Sequence, residues 1–164
     1  MAGRATVNIG SHSWDTFFAS SPDELVAGLA NLESILPDTG MFFDTGYDNI
    51  ISVTTLDMLF NLDIIFIDSD FKVVEVCENV LIGNVITSGV ACRYFLEVNA
   101  GEAAGILPGD NVSLTLEEGD PPVFPAIPPV PVVEDPMSNM YNMIIAVAMV
   151  AMAANLASVD FGGM

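Results

Sequence analysis

The sequence predicts an α+β domain in which strands outnumber helices, followed by an appendage of different character. Three observations carry this. Residues 62–68 read Leu-Asp-Ile-Ile-Phe-Ile-Asp, five apolar side chains of seven, and β-branched and aromatic residues lose little in an extended chain. One helix start has three agreeing signals: Ser21 to cap, Pro22 at the first helical position, and Glu24 to complete a capping box. After residue 118 the composition changes, with seven prolines between Gly119 and Pro136. The expected domains are therefore 1–118, an extended arm at 119–137 and an apolar helix at 138–160.

Val7 and Ile9 alternate with polar neighbours, and residues 14–19 form a second extended run. The chain is thus expected to begin with a hairpin about Gly10-Ser11. The helix should run over 22–32, with Leu25, Val26, Leu29 and Leu32 on one face. Pro37-Asp38-Thr39-Gly40 is a turn, Met41-Phe42-Phe43 a short strand, and residues 44–49 a polar loop. Residues 50–53 are extended. Residues 62–68 then pair with Lys72-Val73-Val74-Glu75-Val76-Cys77 through a turn at Asp68-Ser69-Asp70, making a central hairpin. Residues 80–90 form a looser stretch with Gly83 and Gly89. Residues 93–98 alternate as a strand, 100–104 make a short helical turn, 107–110 a turn, and 112–116 a last strand.

Three basic residues (Arg4, Lys72, Arg93) against 22 acidic ones give a net charge of −19. Such a chain repels phosphate backbones and anionic headgroups, which counts against nucleic acid as a partner. It is also 52% hydrophobic, a combination expected where apolar surface is hidden in protein partners. Cys77 and Cys92 have no CxxC spacing and are expected as free thiols in the core. Residues 1–9 lack the apolar stretch of a signal peptide, so an intracellular origin is expected.

In order and spacing the motifs resemble the domain of unknown function 192 family. They are Ser21-Pro22-Asp23-Glu24 with Gly28-Leu29, Leu36-Pro37-Asp38 with Gly40-Met41-Phe42-Phe43, and Leu62-Asp63-Ile64 with Phe66-Ile67-Asp68. Val73-Val74-Glu75, Arg93-Tyr94, Leu96-Glu97-Val98, Ala100-Gly101 and Gly109-Asp110 complete the set. The resemblance covers residues 5 to about 117. It implies a compact α+β domain, mainly a curved, barrel-like sheet with one flanking helix, and no assigned activity. Many members carry an aromatic-Met-Lys-Asn stretch where this chain has Thr54-Thr55-Leu56-Asp57, so a shared site built on that stretch is lost here.

Five features invite chemistry. Asp44-Thr45-Gly46 could pair with a second copy as an aspartic-protease dyad, yet Tyr47 stands where a small residue is usual and the bland reading is a loop. Asp68-Ser69-Asp70 opens like a calcium loop but lacks the sharp-turn glycine, which favours a plain turn and no metal. Asp63, inside an apolar strand, is either a perturbed functional acid or a structural group, and a structural pair with Arg93 is favoured. His12 has no nucleophile placed beside it, and the methionines of 137–152 are expected as packing.

The tail carries the functional expectation. Residues 143–154 are twelve unbroken apolar residues, reaching about 18 Å at about 1.5 Å each, short of a bilayer's roughly 30 Å core. Alanines at 146, 148, 151, 153 and 154 would let helices approach closely. The chain is therefore expected to be a non-enzymatic structural protein, without cofactor, docked into a larger symmetric complex of protein subunits. Phe124, Ile127, Val130, Val133, Met143, Val147, Ala151 and Ala154 are the expected contacts, and a virion head or tail accessory protein is the concrete form. A membrane-tethered domain is the second reading, and an aspartic-protease-like enzyme using Asp44 the third.

Overall fold

A computed structural model describes residues 3–117. The arm at 119–137, the helix expected at 138–160 and all eight tail contact residues lie outside these described residues. The chain opens with β1 (Gly3–Ile9) and β2 (His12–Ala19), the expected hairpin, turned by Gly10 at φ 59°. Helix α1 (Pro22–Ala27) follows, and then β3 (Thr39–Asn49) and β4 (Ser52–Thr54). The central hairpin is β5 (Leu62–Ile67) with β6 (Val73–Val80). The remaining strands are β7 (Val85–Thr87), β8 (Cys92–Asn99) and β9 (Val112–Glu117).

The α+β expectation is overturned: the described residues hold nine strands and a single six-residue helix, a mainly-β fold. The capping box at Ser21 and Glu24 forms as the sequence implies, but the helix stops at Ala27 where an end at residue 32 was expected. Gly28 closes it at φ 49°, a conformation open to glycine, and Asn31 then turns at φ 64°. Leu29 is buried and Leu32 partly so, whereas Val26 is exposed. The apolar spacing marked residues that meet the core, but from an irregular segment. Two loops were also misjudged, for β3 continues through 44–49 with an irregularity, and β7 lies inside the stretch 80–90.

Seven strands form one sheet in the order β6-β5-β8-β3-β2-β1-β9, while β4 and β7 make a separate two-stranded ribbon. All neighbours are antiparallel except β2 and β3, whose parallel pairing needs the crossover through α1 and residues 28–38. The two edges of the sheet meet. Lys72 bridges to Asn111, the Val73 amide donates to Asp110 O at 2.9 Å, and the Gly109 amide donates to Val73 O at 2.7 Å. The curved sheet therefore closes on itself at this corner.

Closure creates two cores. Inside the curve lie Val7, Ile9, Trp14, Phe42, Ile65, Ile67, Leu96, Val98 and Val112. The outer face of β3, β8, β5 and β6 carries the second, with Met41, Phe43, Ile64, Phe66 and Phe95. Phe43 stacks on Phe95 at 4.1 Å there. A cover of Leu29, Ile35, Val53 and Met58 shields this face. β5 is buried at all six positions because it has a core on each side.

Candidate functional site

Asp44, Asp63 and Asp68, three of the acids singled out in the sequence, each have a definite partner. Asp44, at the middle of β3, receives Arg93 from β8 in a two-pronged pair, Nε to Oδ1 at 2.8 Å and Nη2 to Oδ2 at 2.9 Å. The Gly46 amide adds a third contact at 2.8 Å. Arg93 also lies 4.9 Å from the Tyr94 ring centre, and Asp44 raises its pKa further. A guanidinium already occupies both oxygens that a protease dyad would turn toward a shared water.

Asp63 is fully buried, but Arg93 is not its partner. Its Oδ1 accepts the Asn79 amide at 2.7 Å, and its Oδ2 accepts the Gly101 and Ala103 amides, both at 2.8 Å. Three backbone donors satisfy both oxygens of this buried side chain without a cation. The acid thereby fixes the turn at 100–104 onto β5.

The Asp68-Ser69-Asp70 turn satisfies itself. Asp68 Oδ1 accepts the amides of Asp70 and Lys72, and Ser69 donates from its amide and hydroxyl to Asp48. Among the described residues no group of three or more His, Cys, Asp and Glu could hold a metal ion. His12 stacks on Trp14 at 5.4 Å, and Trp14 Nε1 donates to Glu102. Cys77 and Cys92 are both free, with burial pushing each thiol pKa up.

Two features remain. The first is Glu97, at the centre of β8, only 5% exposed. It faces outward from the closed sheet with Phe95, between Met41 of β3 and Ile64 of β5. None of the hydrogen bonds or ion pairs among the described residues reaches its carboxyl, and burial alone pushes its pKa up to about 8. The second is the β4–β7 ribbon with its flanking loops. Thr55 ties it together, donating from Oγ1 to Leu81 O and accepting the Asn84 amide, while Thr55 O accepts the Gly83 amide. On it Leu56, Leu59, Leu81, Ile82 and Val85 stand 44% to 59% exposed.

The profile of DUF192, a family described as uncharacterized ACR, matches residues 5–114. The chain belongs to the DUF192 family. No curated protein matches it. A crystal structure from Sinorhizobium meliloti 1021, described as a candidate transcription regulator, is 28% identical with a TM-score of 0.63. Their alignment covers 69% of this chain and 93% of that one. A protein of unknown function from Novosphingobium aromaticivorans DSM 12444 is 26% identical with a TM-score of 0.62, over 68% of this chain and 84% of its own.

The two acids at the heart of the DUF192 motifs are now accounted for. Asp63 in Leu-Asp-Ile and Glu97 in Leu-Glu-Val sit on neighbouring strands, their side chains on opposite faces of the sheet. The Thr54-Thr55-Leu56-Asp57 stretch forms the end of β4 and the hub of the ribbon. Sequence reasoning quoted Glu97 as a motif residue but not as a candidate site. Alternation in a strand places every second residue on one face but does not tell what covers that face. The available signal was Phe95, an apolar residue on the same face two positions earlier.

Proposed function

We propose that the chain is a non-enzymatic assembly module, in which the proline-rich arm of one copy lies across the β4–β7 ribbon of another. The observation that supports this is the ribbon's exposed cluster of Leu56, Leu59, Leu81, Ile82 and Val85. Contiguous apolar patches rimmed by polar residues mark interaction sites. The occupant follows from charge. Residues 79–92 carry no charged side chain in a chain of net charge −19, and the tail beyond residue 117 has five acidic residues and no basic one. An acidic arm finds no cationic dock, so the side of the ribbon formed by the uncharged stretch 79–92 is where Phe124, Ile127, Val130 and Val133 can rest at least like-charge cost, with Asp57 beside Leu56 the one acid in the facing loop 55–60.

A regulator that contacts DNA would need a basic face. Here Arg4 is bound to Asp15 and Arg93 to Asp44, which leaves little charge for phosphate. Membrane tethering by the apolar run at 143–154 is the competing outcome; among the described residues no helix is long and apolar enough to cross a membrane. The test is native mass measurement of the full chain and of an Ile82→Glu, Leu59→Glu double variant, alongside liposome flotation. Assembly predicts oligomers for the wild type and monomers for the variant. Equal masses, with both proteins floating on liposomes, would overturn it.

A further inference from the structure

Glu97 does something that neither the closed sheet nor the ribbon requires. A carboxyl at this position makes no hydrogen bond or ion pair with any described neighbour, and an apolar side chain of similar size would fill the space at lower desolvation cost. The groups around it are Met41 and Ile64 on the flanking strands, Phe95 on its own, and the apolar cover above. The charged and titratable groups of the packed elements are engaged elsewhere. Glu24 accepts the Ser20 and Ser21 amides, Glu75 the Gly89 amide, and Asp63 the amides beneath the sheet. Asp44 holds Arg93, Glu33 is exposed, and Asp57 is half exposed. The Cys77 and Cys92 thiols belong to the same core, with their pKa values raised above the ordinary thiol range.

The cover over this face is thin. Helix α1 buries none of its six residues. Its two halves, the segment after α1 and the loop before β5, are joined by the Asn31 amide donating to Asp57 O at 2.9 Å. The far end is tethered where Asn99 Nδ2 donates to Leu36 O at 3.2 Å. Gly28 and Asn31, both at positive φ, flank the start of the segment.

We propose that Glu97 is a proton-held latch: while its carboxyl is neutral the cover packs down, and when it ionises the cover lifts from the outer face of β3, β8 and β5. The ionised form needs more water, or a donor, than the slight exposure its oxygens keep in the closed state, and lifting the cover admits water to this face without breaking the sheet. Burial places the transition in the mildly alkaline range, about pH 8. The opened state exposes Phe43, Phe66 and Phe95, an apolar aromatic surface absent from the closed one.

Hydrogen exchange on the full chain between pH 5.5 and 9, corrected for intrinsic rates, tests this. Protection of residues 28–36 and 55–60 should fall about tenfold per pH unit and level off above the midpoint, while β5 and β8 stay protected. Glu97→Gln should hold these segments at constant protection across the range. Constant protection in the wild type, or the same fall in the variant, would overturn the proposal. Should the variant not fold, the carboxyl carbon shift of Glu97 in the wild type decides, and a midpoint below pH 6 overturns it.

Discussion

Asp63 and Glu97 are buried carboxyls on adjacent strands, and what separates them is what meets their oxygens. Three amides converge on the first, and none of the described groups reaches the second. This difference has a consequence for stability. The folded state holds the Glu97 proton up to about pH 8, whereas an unfolded glutamate releases it near its ordinary value of 4.5. The stability that the neutral carboxyl supports is thus complete below about pH 4.5 and is lost as pH rises toward 8. Denaturant titration from pH 6 to 8 should show a fall of about 1.4 kcal/mol per unit, absent in Glu97→Gln. Glu24 works in the opposite sense, because the Ser21 and Ser20 amides hold its pKa at about 2. Its contribution is present above 4.5 and is lost as pH falls through 2. That Asp63 is structural was legible from its apolar strand. Its partners were not, because a backbone amide 40 residues away leaves no mark in composition.

At the scale of elements, the strands were the readable part. Alternation at residues 7–9 and 93–98 and the apolar run at 62–67 each became a strand near its expected place. The helix was overestimated, since a face of leucines at helical spacing can also come from a turn that drops each one onto the same core. Of the ribbon, β4 falls in the stretch expected to be extended at 50–53, whereas β7 was missed because a three-residue strand carries too few alternations to register. Gly40 shows what close strand packing demands. A Cβ there would stand 2.4 Å from the Glu97 carbonyl oxygen, which is backbone and cannot swing aside. Gly40→Ala should therefore separate β3 from β8 and lower the unfolding midpoint far more than Gly46→Ala. Gly46 has open space around its Cβ position, and only its φ of 90° opposes the change. Thermal melts of the two variants make the comparison.

For the whole molecule, the sheet's edges bond to each other, so the described fold is complete by Glu117. A chain truncated after residue 118 should fold cooperatively and sediment as a monomer. Failure to fold would mean that the tail supplies part of the core. In the full chain the proposed contact joins acidic partners through apolar side chains, so added salt should strengthen it by screening their repulsion. Dissociation on raising salt from 0.05 to 1 M would contradict an apolar contact (both about these values).

The join between first and last strands also sets an order of events in time. β1 is made before every other strand of the described sheet, yet its partner β9 is made more than a hundred residues later. The amino-terminal hairpin must wait, half paired, for nearly the whole domain to leave the ribosome, and such distant pairing folds slowly. The tail is translated after β9. The apolar run at 143–154 follows the closing strand in sequence, so it emerges only after every strand of the described sheet has been made.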